Sequence, residues 1–218
     1  MNDKNWTDTS RFDNKAAEWD ASAVRGALAD AVSRAIIAHM PVAGPQRALE
    51  FGCGTGLVTL RVAPRCGTLV AADTSKEMLK VLGEKIAASG AVNVSPLLLD
   101  LTAPDAATHL DGTFDFIFGS MVLHHIPDTV SFLEQLNSHM NPGAILAMAD
   151  LDAEDGLFHD DATEKVHSGF DRNALKGMLE QAGFVNISFI TAHVIQKKNR
   201  AGTMASYPVF LVTATRQQ

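Results

Sequence analysis

Apolar positions along the chain follow two patterns. Between residues 15 and 40 they recur at near-helical spacing, at Ala16, Trp19, Val24, Leu28, Val32, Ile36 and Ile37. This predicts a helix that Pro41 ends, with Ala43-Gly44-Pro45 as a connector. From residue 47 the pattern changes to short, mostly apolar runs, at 47–51, 68–72, 94–99, 114–118 and 144–149. Runs that do not alternate are the mark of strands covered on both faces. Helical patterns lie between them: one from about Leu57, one over 75–88, and one carrying Phe132, Leu133, Leu136 and Met140, stopped by Asn141-Pro142-Gly143. Repeated strand–helix units imply a parallel sheet with right-handed crossovers.

The last third reads differently. Residues 150–170 are acidic and irregular. Asp171 is placed to cap a helix running to about Gln181, with Gly183 as its stop. Two long strand patterns follow, at 185–195 and 207–215, joined by a turn around Asn199-Arg200-Ala201-Gly202. The expected architecture is α/β, a doubly wound seven-stranded sheet, mostly parallel, closed by a C-terminal antiparallel hairpin. Residues 1–14 are polar and expected to be mobile.

Composition narrows the function. With 218 residues and 46% hydrophobic positions, the chain buries a sizeable core without disulfide or metal staples. Eighteen Lys and Arg against 25 Asp and Glu leave a charge of -7, which disfavours a nucleic-acid partner. No apolar stretch reaches the roughly 20 residues that span a bilayer, and no signal peptide is visible. Two cysteines, Cys53 and Cys66, make no disulfide framework. A cytoplasmic setting without a membrane partner is the expectation, as monomer or homodimer.

The most informative motif is Glu50-Phe51-Gly52-Cys53-Gly54-Thr55-Gly56, between a strand and a helix. Glycines at alternating positions allow a sharp turn and close ligand approach, at the strand ends where open parallel sheets bind ligands. A phosphate-cradling loop would need Gly-Lys-Ser/Thr, and Gly56 is followed by Leu57. A dinucleotide loop needs glycine or alanine where Leu57 or Thr59 stands. S-adenosylmethionine has no phosphate and carries a sulfonium and an ammonium, which the carboxylate of Glu50 favours.

Residues 50–56 resemble the first motif of the class I S-adenosylmethionine-dependent methyltransferases, of the small-molecule, type 11/12-like kind. The resemblance is good over about residues 45–150. It implies a Rossmann-like sheet and one methyltransferase domain over 1–218. Within it, 1–44 would be an N-terminal helical lid, 45–150 the cofactor-binding core, and 151–218 the acceptor-side segment and hairpin. The implied activity is methyl transfer to a small-molecule acceptor by direct displacement, with S-adenosylhomocysteine as product. A nicotinamide-dependent oxidoreductase and a non-catalytic cofactor-binding protein are the alternatives.

The resemblance also implies roles for residues. Gly52, Cys53, Gly54 and Gly56 form the cofactor loop, with Cys53 packing as a small apolar group rather than acting as a nucleophile. Asp73 would accept from the ribose hydroxyls, or cap a helix. The run 73–79 looks like the family's second motif, bringing Thr74 and Met78 to the cofactor. Asp100 and Leu101 would meet the adenine, Asp100 being otherwise a turn residue. Ser120 and Met121 would lie beside the methionine moiety. Trp19 and Arg25 would sit on the lid, Arg25 pairing with the methionine carboxylate. His125, in a His-Ile-Pro-Asp segment, is the first base candidate and His124 its rival; both could instead pack the next helix. The acidic stretch from Asp150 to His167 matches no metal motif, so no metal is expected. Its His159 and His167 are candidates for the acceptor pocket.

Overall fold

A computed structural model describes residues 9–103 and 106–218. Seven strands form one sheet in the order β3-β2-β1-β4-β5-β7-β6: β1 Arg47–Phe51, β2 Thr68–Asp73, β3 Val94–Leu98, β4 Phe114–Ser120, β5 Met140–Leu151, β6 Phe184–Lys198 and β7 Met204–Arg216. β1 to β5 are parallel, and β7 runs antiparallel to both β5 and β6. The expected architecture holds. After β3 the chain crosses to the other side of β1, so β1 and β4 flank the point where strand order reverses. The crevice beyond their carboxyl ends is where such sheets take ligands.

The sheet is covered on both faces because alternate residues of its strands point opposite ways. Leu49, Phe51 and Ile117 join one buried cluster with Phe132, Leu133 and Leu136 of α5 (Thr129–Ser138) and Leu175 and Leu179 of α6 (Arg172–Gln181). Ala48, Phe116 and Phe118 join the other with Leu28, Val32 and Ile36 of α2 (Ala23–Ala38) and Leu82 of α4 (Lys76–Ser89). Each fully buried phenylalanine contributes about 1.5–3 kcal/mol.

Local chemistry sets the helix ends. Ser75 caps α4 by accepting from Met78 N at 3.1 Å, and Gly90 closes it in the left-handed region. Asp171 caps α6 through Asn173 N and Ala174 N, and Gly183 follows it at φ +85°, as the sequence predicts.

Four expectations need correction. The helix over 15–40 is broken: Ala16–Ala21 is a 3-10 helix, and extended Ser22 then caps α2 by accepting from Arg25 N. The helix after the glycine loop is one turn, α3 (Thr59–Val62), ending in a 3-10 turn over Ala63–Arg65, because Pro64 cannot continue the ladder. α5 stops at Ser138, and β5 begins at Met140, with 141–143 looped out between the pairs Phe114–Met140 and Phe116–Ile145. Finally, residues 1–8 of the expected mobile arm lie outside the described residues, but Ser10–Asp13 is a helical turn, α1, docked on the core. The Ser75 hydroxyl donates to Asp13 at 2.5 Å, and Phe12 packs edge-on against Trp19. Among the described residues no helix is long and apolar enough to cross a membrane.

Candidate active site

The glycine loop leaves β1 with Gly52, Gly54 and Gly56 all at positive φ. At Gly52 an added Cβ would lie 2.2 Å from the Val122 side chain, so glycine is required by both backbone and packing. Gly54 faces open space, with no atom within 4 Å of where its Cβ would be. Its N–H donates to Asp73 Oδ2 at 2.7 Å, and Asp73 Oδ1 accepts from Ser75 N at 2.8 Å. Asp73 thus ties the loop to the start of α4. Burial raises its carboxyl above the ordinary value, with the backbone donors of Ser75 and Gly54 opposing. Gly52→Ala is expected to cost about 2 kcal/mol through overpacking, a drop of about 4–8 °C in a thermal melt. A wild-type melting temperature would remove the packing argument.

Above the loop lies a cavity of about 640 Å³. Trp19, Arg25, Glu50, Gly52, Cys53, Gly54, Asp73, Thr74, Met78, Asp100, Leu101, Ser120, Met121, His124, His125 and His159 all line it. Gly56 does not; it packs on α4, where a Cβ would meet Leu82 at 2.4 Å. His167 does not line it either. Its Nε2 lies 2.8 Å from Ile126 O, its backbone N–H donates to His124 O, and its ring packs on Phe170. These contacts brace the histidine segment from behind.

The floor is electrostatically unusual. Glu50 is 2% exposed, and its Oε2 has no hydrogen-bond partner. Burial pushes its carboxyl up to about 8, the Asp73 carboxylate adding to the rise. A buried carboxylate with an unmet acceptor suits a ligand that brings positive charge. Cys53 is buried beside it, its thiol held well up by burial and by Glu50 and Asp73, which disqualifies it as a nucleophile. Asp100 accepts from Thr102 N at 2.8 Å and Thr102 Oγ1 at 2.6 Å, so a tight turn presents it at the cavity edge. Met121 has φ 59°, a strained position for a non-glycine residue, pinned by its N–H to Ala149 O.

Three histidine rings meet on the opposite wall. His124 and His125 are 4.0 Å apart by centroid, His124 and His159 5.1 Å, and His125 and His159 6.0 Å. His124 Nδ1 lies 2.7 Å from Asp150 Oδ1 in a fully buried pair, and Asp150 also accepts from His124 N and Leu151 N. The carboxylate only accepts, so Nδ1 carries the hydrogen and Nε2 the free lone pair. His125 is arranged otherwise. Arg11 Nη2 lies 2.9 Å from its Nδ1 and 3.4 Å from its Nε2, a position over the ring rather than along either nitrogen's in-plane lone pair. Burial depresses its basicity strongly, and His124, Arg11 and His159 reinforce this. Of the two base candidates the geometry therefore favours His124.

The N-terminal segment closes over this wall. Arg11 pairs with Glu164 as well as His125, and Phe12 packs on the His125 ring at 5.5 Å. Asp20 accepts from Thr55 Oγ1 at 2.6 Å and pairs with Lys85. Trp19 and Arg25, expected on one helix, lie on separate elements. The Arg25 guanidinium stacks 4.0 Å over the Trp19 ring and donates to Trp19 O at 3.2 Å.

The acidic stretch is neutralised locally. Arg172 holds Asp152 in a two-pronged pair, Lys197 pairs with Asp160, and Glu154 accepts from Leu157 N and Phe158 N. Among the described residues no cluster of three His, Cys, Asp or Glu could hold a metal. Arg11 and Glu164 escaped the sequence reading, since nothing local marks either. Asp150 was legible only as one of several acids, though its place at the end of β5 puts it on the ligand edge.

Comparison with known proteins gives the family and the fold. A family model described as a methyltransferase domain matches residues 21–188. An uncharacterized methyltransferase of Schizosaccharomyces pombe is 29% identical over 65% of this chain and 54% of its own length. The tRNA 5-carboxymethoxyuridine methyltransferase of Escherichia coli is 30% identical over 53% of this chain and 45% of its own. The chain thus spans about half the length of these relatives. The structure of DhpI with S-adenosylhomocysteine shares the fold, with a TM-score of 0.72 at 23% identity over 97% of this chain and 95% of that one. The family model covers most of the chain, and the chain belongs to the methyltransferase-domain family, with the fold it shares with DhpI.

Proposed function

We propose that the protein methylates a small-molecule acceptor by direct displacement, as a single domain over 1–218 with residues 1–44 as lid, 45–150 as cofactor core and 151–218 as acceptor side. The observation that carries this reading is the carboxylate-backed His124 opening on the same cavity as the glycine loop. When bound, the cofactor would supply a methyl on a positively charged sulfur, the sulfur keeping the bonding pair when the acceptor's lone pair takes the methyl. Gly54 and its neighbours give close backbone approach. Asp73 would hold the ribose, and Asp100 and Leu101 the adenine edge. Glu50 would compensate the positive end, Ser120 and Met121 would border the methionine chain, and Arg25 would pair with its carboxylate. Residues of the lid and of the 150–170 segment exclude water and align the acceptor, which supplies much of the acceleration.

The net charge of -7 supports a small molecule rather than nucleic acid as acceptor. Two free buried thiols suit a reducing, cytoplasmic setting.

Calorimetry with S-adenosylmethionine and S-adenosylhomocysteine, and NAD as control, tests the reading. Saturable binding of the first two is expected, and binding of NAD alone would overturn it. Glu50 adds a pH signature. In the free protein its raised pKa keeps it protonated below about 8. Binding of a cationic ligand must then expel that proton, so affinity falls as pH falls, by up to about tenfold per unit. Glu50→Gln should flatten the profile. A wild-type affinity independent of pH below that point would refute the role of Glu50.

A further inference from the structure

We infer that Lys85 and Asp20 are positioning residues for the cofactor, which together lock the apex of the glycine loop and tie that lock to docking of the N-terminal segment. This rests on the cofactor reading of the loop. Glycine loses more conformational freedom on ordering than any other residue, and three of them at positive φ make residues 52–56 costly to hold. The loop is nonetheless fixed peptide by peptide. In the Cys53–Gly54 peptide, Gly54 N–H donates to Asp73, and Cys53 O accepts from Gly56 N at 3.0 Å. In the Thr55–Gly56 peptide, Gly56 N–H makes that same bond, and Thr55 O accepts from Lys85 Nζ at 2.8 Å. Both planes are therefore held at both ends, and Lys85 reaches the apex from α4.

Asp20 closes a ring of contacts. It accepts from Thr55 Oγ1 at 2.6 Å and pairs with Lys85 Nζ. Thr55 is 1% exposed, so little water can replace those partners. An ammonium has three donors, and Lys85 commits two of them to two separate segments. Neither Lys85 nor Asp20 lines the cavity, so both act through the loop and not on a ligand. Trp19, next to Asp20, does line it, so the same ring sets part of the cavity wall. With Lys85 and Asp20 in place, the loop and the N-terminal segment order together. A loop ordered beforehand binds its ligand more tightly, because that ordering is not incurred on binding.

The test reads the full-length protein in two ways. Amide hydrogen exchange of the unliganded protein reports the loop itself. Lys85→Met and, separately, Asp20→Asn should each speed exchange at Gly54 and Gly56 at least about threefold, with the amides of β4 unchanged. Calorimetry with S-adenosylhomocysteine reports the consequence. Affinity should fall about tenfold in Lys85→Met and about threefold in Asp20→Asn. The double variant should match Lys85→Met within about twofold, since members of one network are not additive. Lys85→Arg keeps a donor for each partner and should restore both readouts. The partly exposed links contribute little to global stability, so melting temperatures should fall by no more than about 4 °C. Wild-type exchange or wild-type affinity in Lys85→Met overturns the inference. So does a double variant whose losses multiply, or a Lys85→Arg variant that behaves like Lys85→Met. Failure of the wild-type protein to bind S-adenosylhomocysteine would instead strike at the cofactor reading, and the exchange rates would still decide whether the lock exists.

Discussion

Asp73→Ala is expected to bind S-adenosylhomocysteine at least about a hundredfold more weakly than the wild type, measured by calorimetry. Two hydrogen bonds from ribose hydroxyls to a carboxylate contribute about 1.5–3 kcal/mol each, and about 3 kcal/mol in sum is a factor of more than a hundred. The variant loses more than those bonds. Asp73 also accepts from Gly54 N and Ser75 N, so its removal frees the loop as well. Asp73→Asn separates the two effects, since its amide can still accept from one backbone donor. An intermediate loss is expected there. Equal affinity in the alanine variant would show that the carboxylate does no more than cap its loop.

Asp150→Ala should be the most damaging single change to stability. The side chain is fully buried and accepts three hydrogens, from His124 Nδ1, His124 N and Leu151 N. Truncation strands all three donors, and breaking a buried pair of this kind costs about 3–5 kcal/mol. At about 2–4 °C per kcal/mol for a domain of this size, the melting temperature should fall by roughly 6–20 °C. Asp150→Asn keeps the shape and at least one acceptor, so it should melt much nearer the wild type. A change of only a degree or two in the alanine variant would contradict the buried pairing.

Much of this architecture is legible in the sequence, for a definite reason. Non-alternating apolar runs such as 144–149 fill both faces of a parallel sheet, and little else accommodates them. Asp171 and Gly183 bracket α6 because an Asx cap and a left-handed glycine act locally. The errors fall where tertiary contacts override local pattern. Trp19 and Arg25 read as one helix, yet Ser22 turns the chain so that the two side chains stack. Met140 read as part of a helix that 141–143 stop, yet Met140 pairs with Phe114 and begins β5. The glycine loop and Glu50 are legible because they share one short stretch. The histidine wall is less so, because what distinguishes His124 from His125 comes from Asp150 and Arg11, residues 26 and 114 positions away.

The strap from residue 10 to residue 20 is fastened at points belonging to different parts of the binding cleft: Asp13 to Ser75 at the head of α4, Asp20 to Thr55 and Lys85 beside the glycine loop, and Arg11 to Glu164 on the acceptor segment. On the proposed function, cofactor and acceptor would share one door. Each polar link is partly solvated and contributes about 1 kcal/mol or less, so the set releases at a total of a few kcal/mol, within reach of motions on the microsecond-to-millisecond scale. Turnover paced by that release would rise with added salt before it fell, since ions loosen the fastening of the strap before they weaken what it encloses.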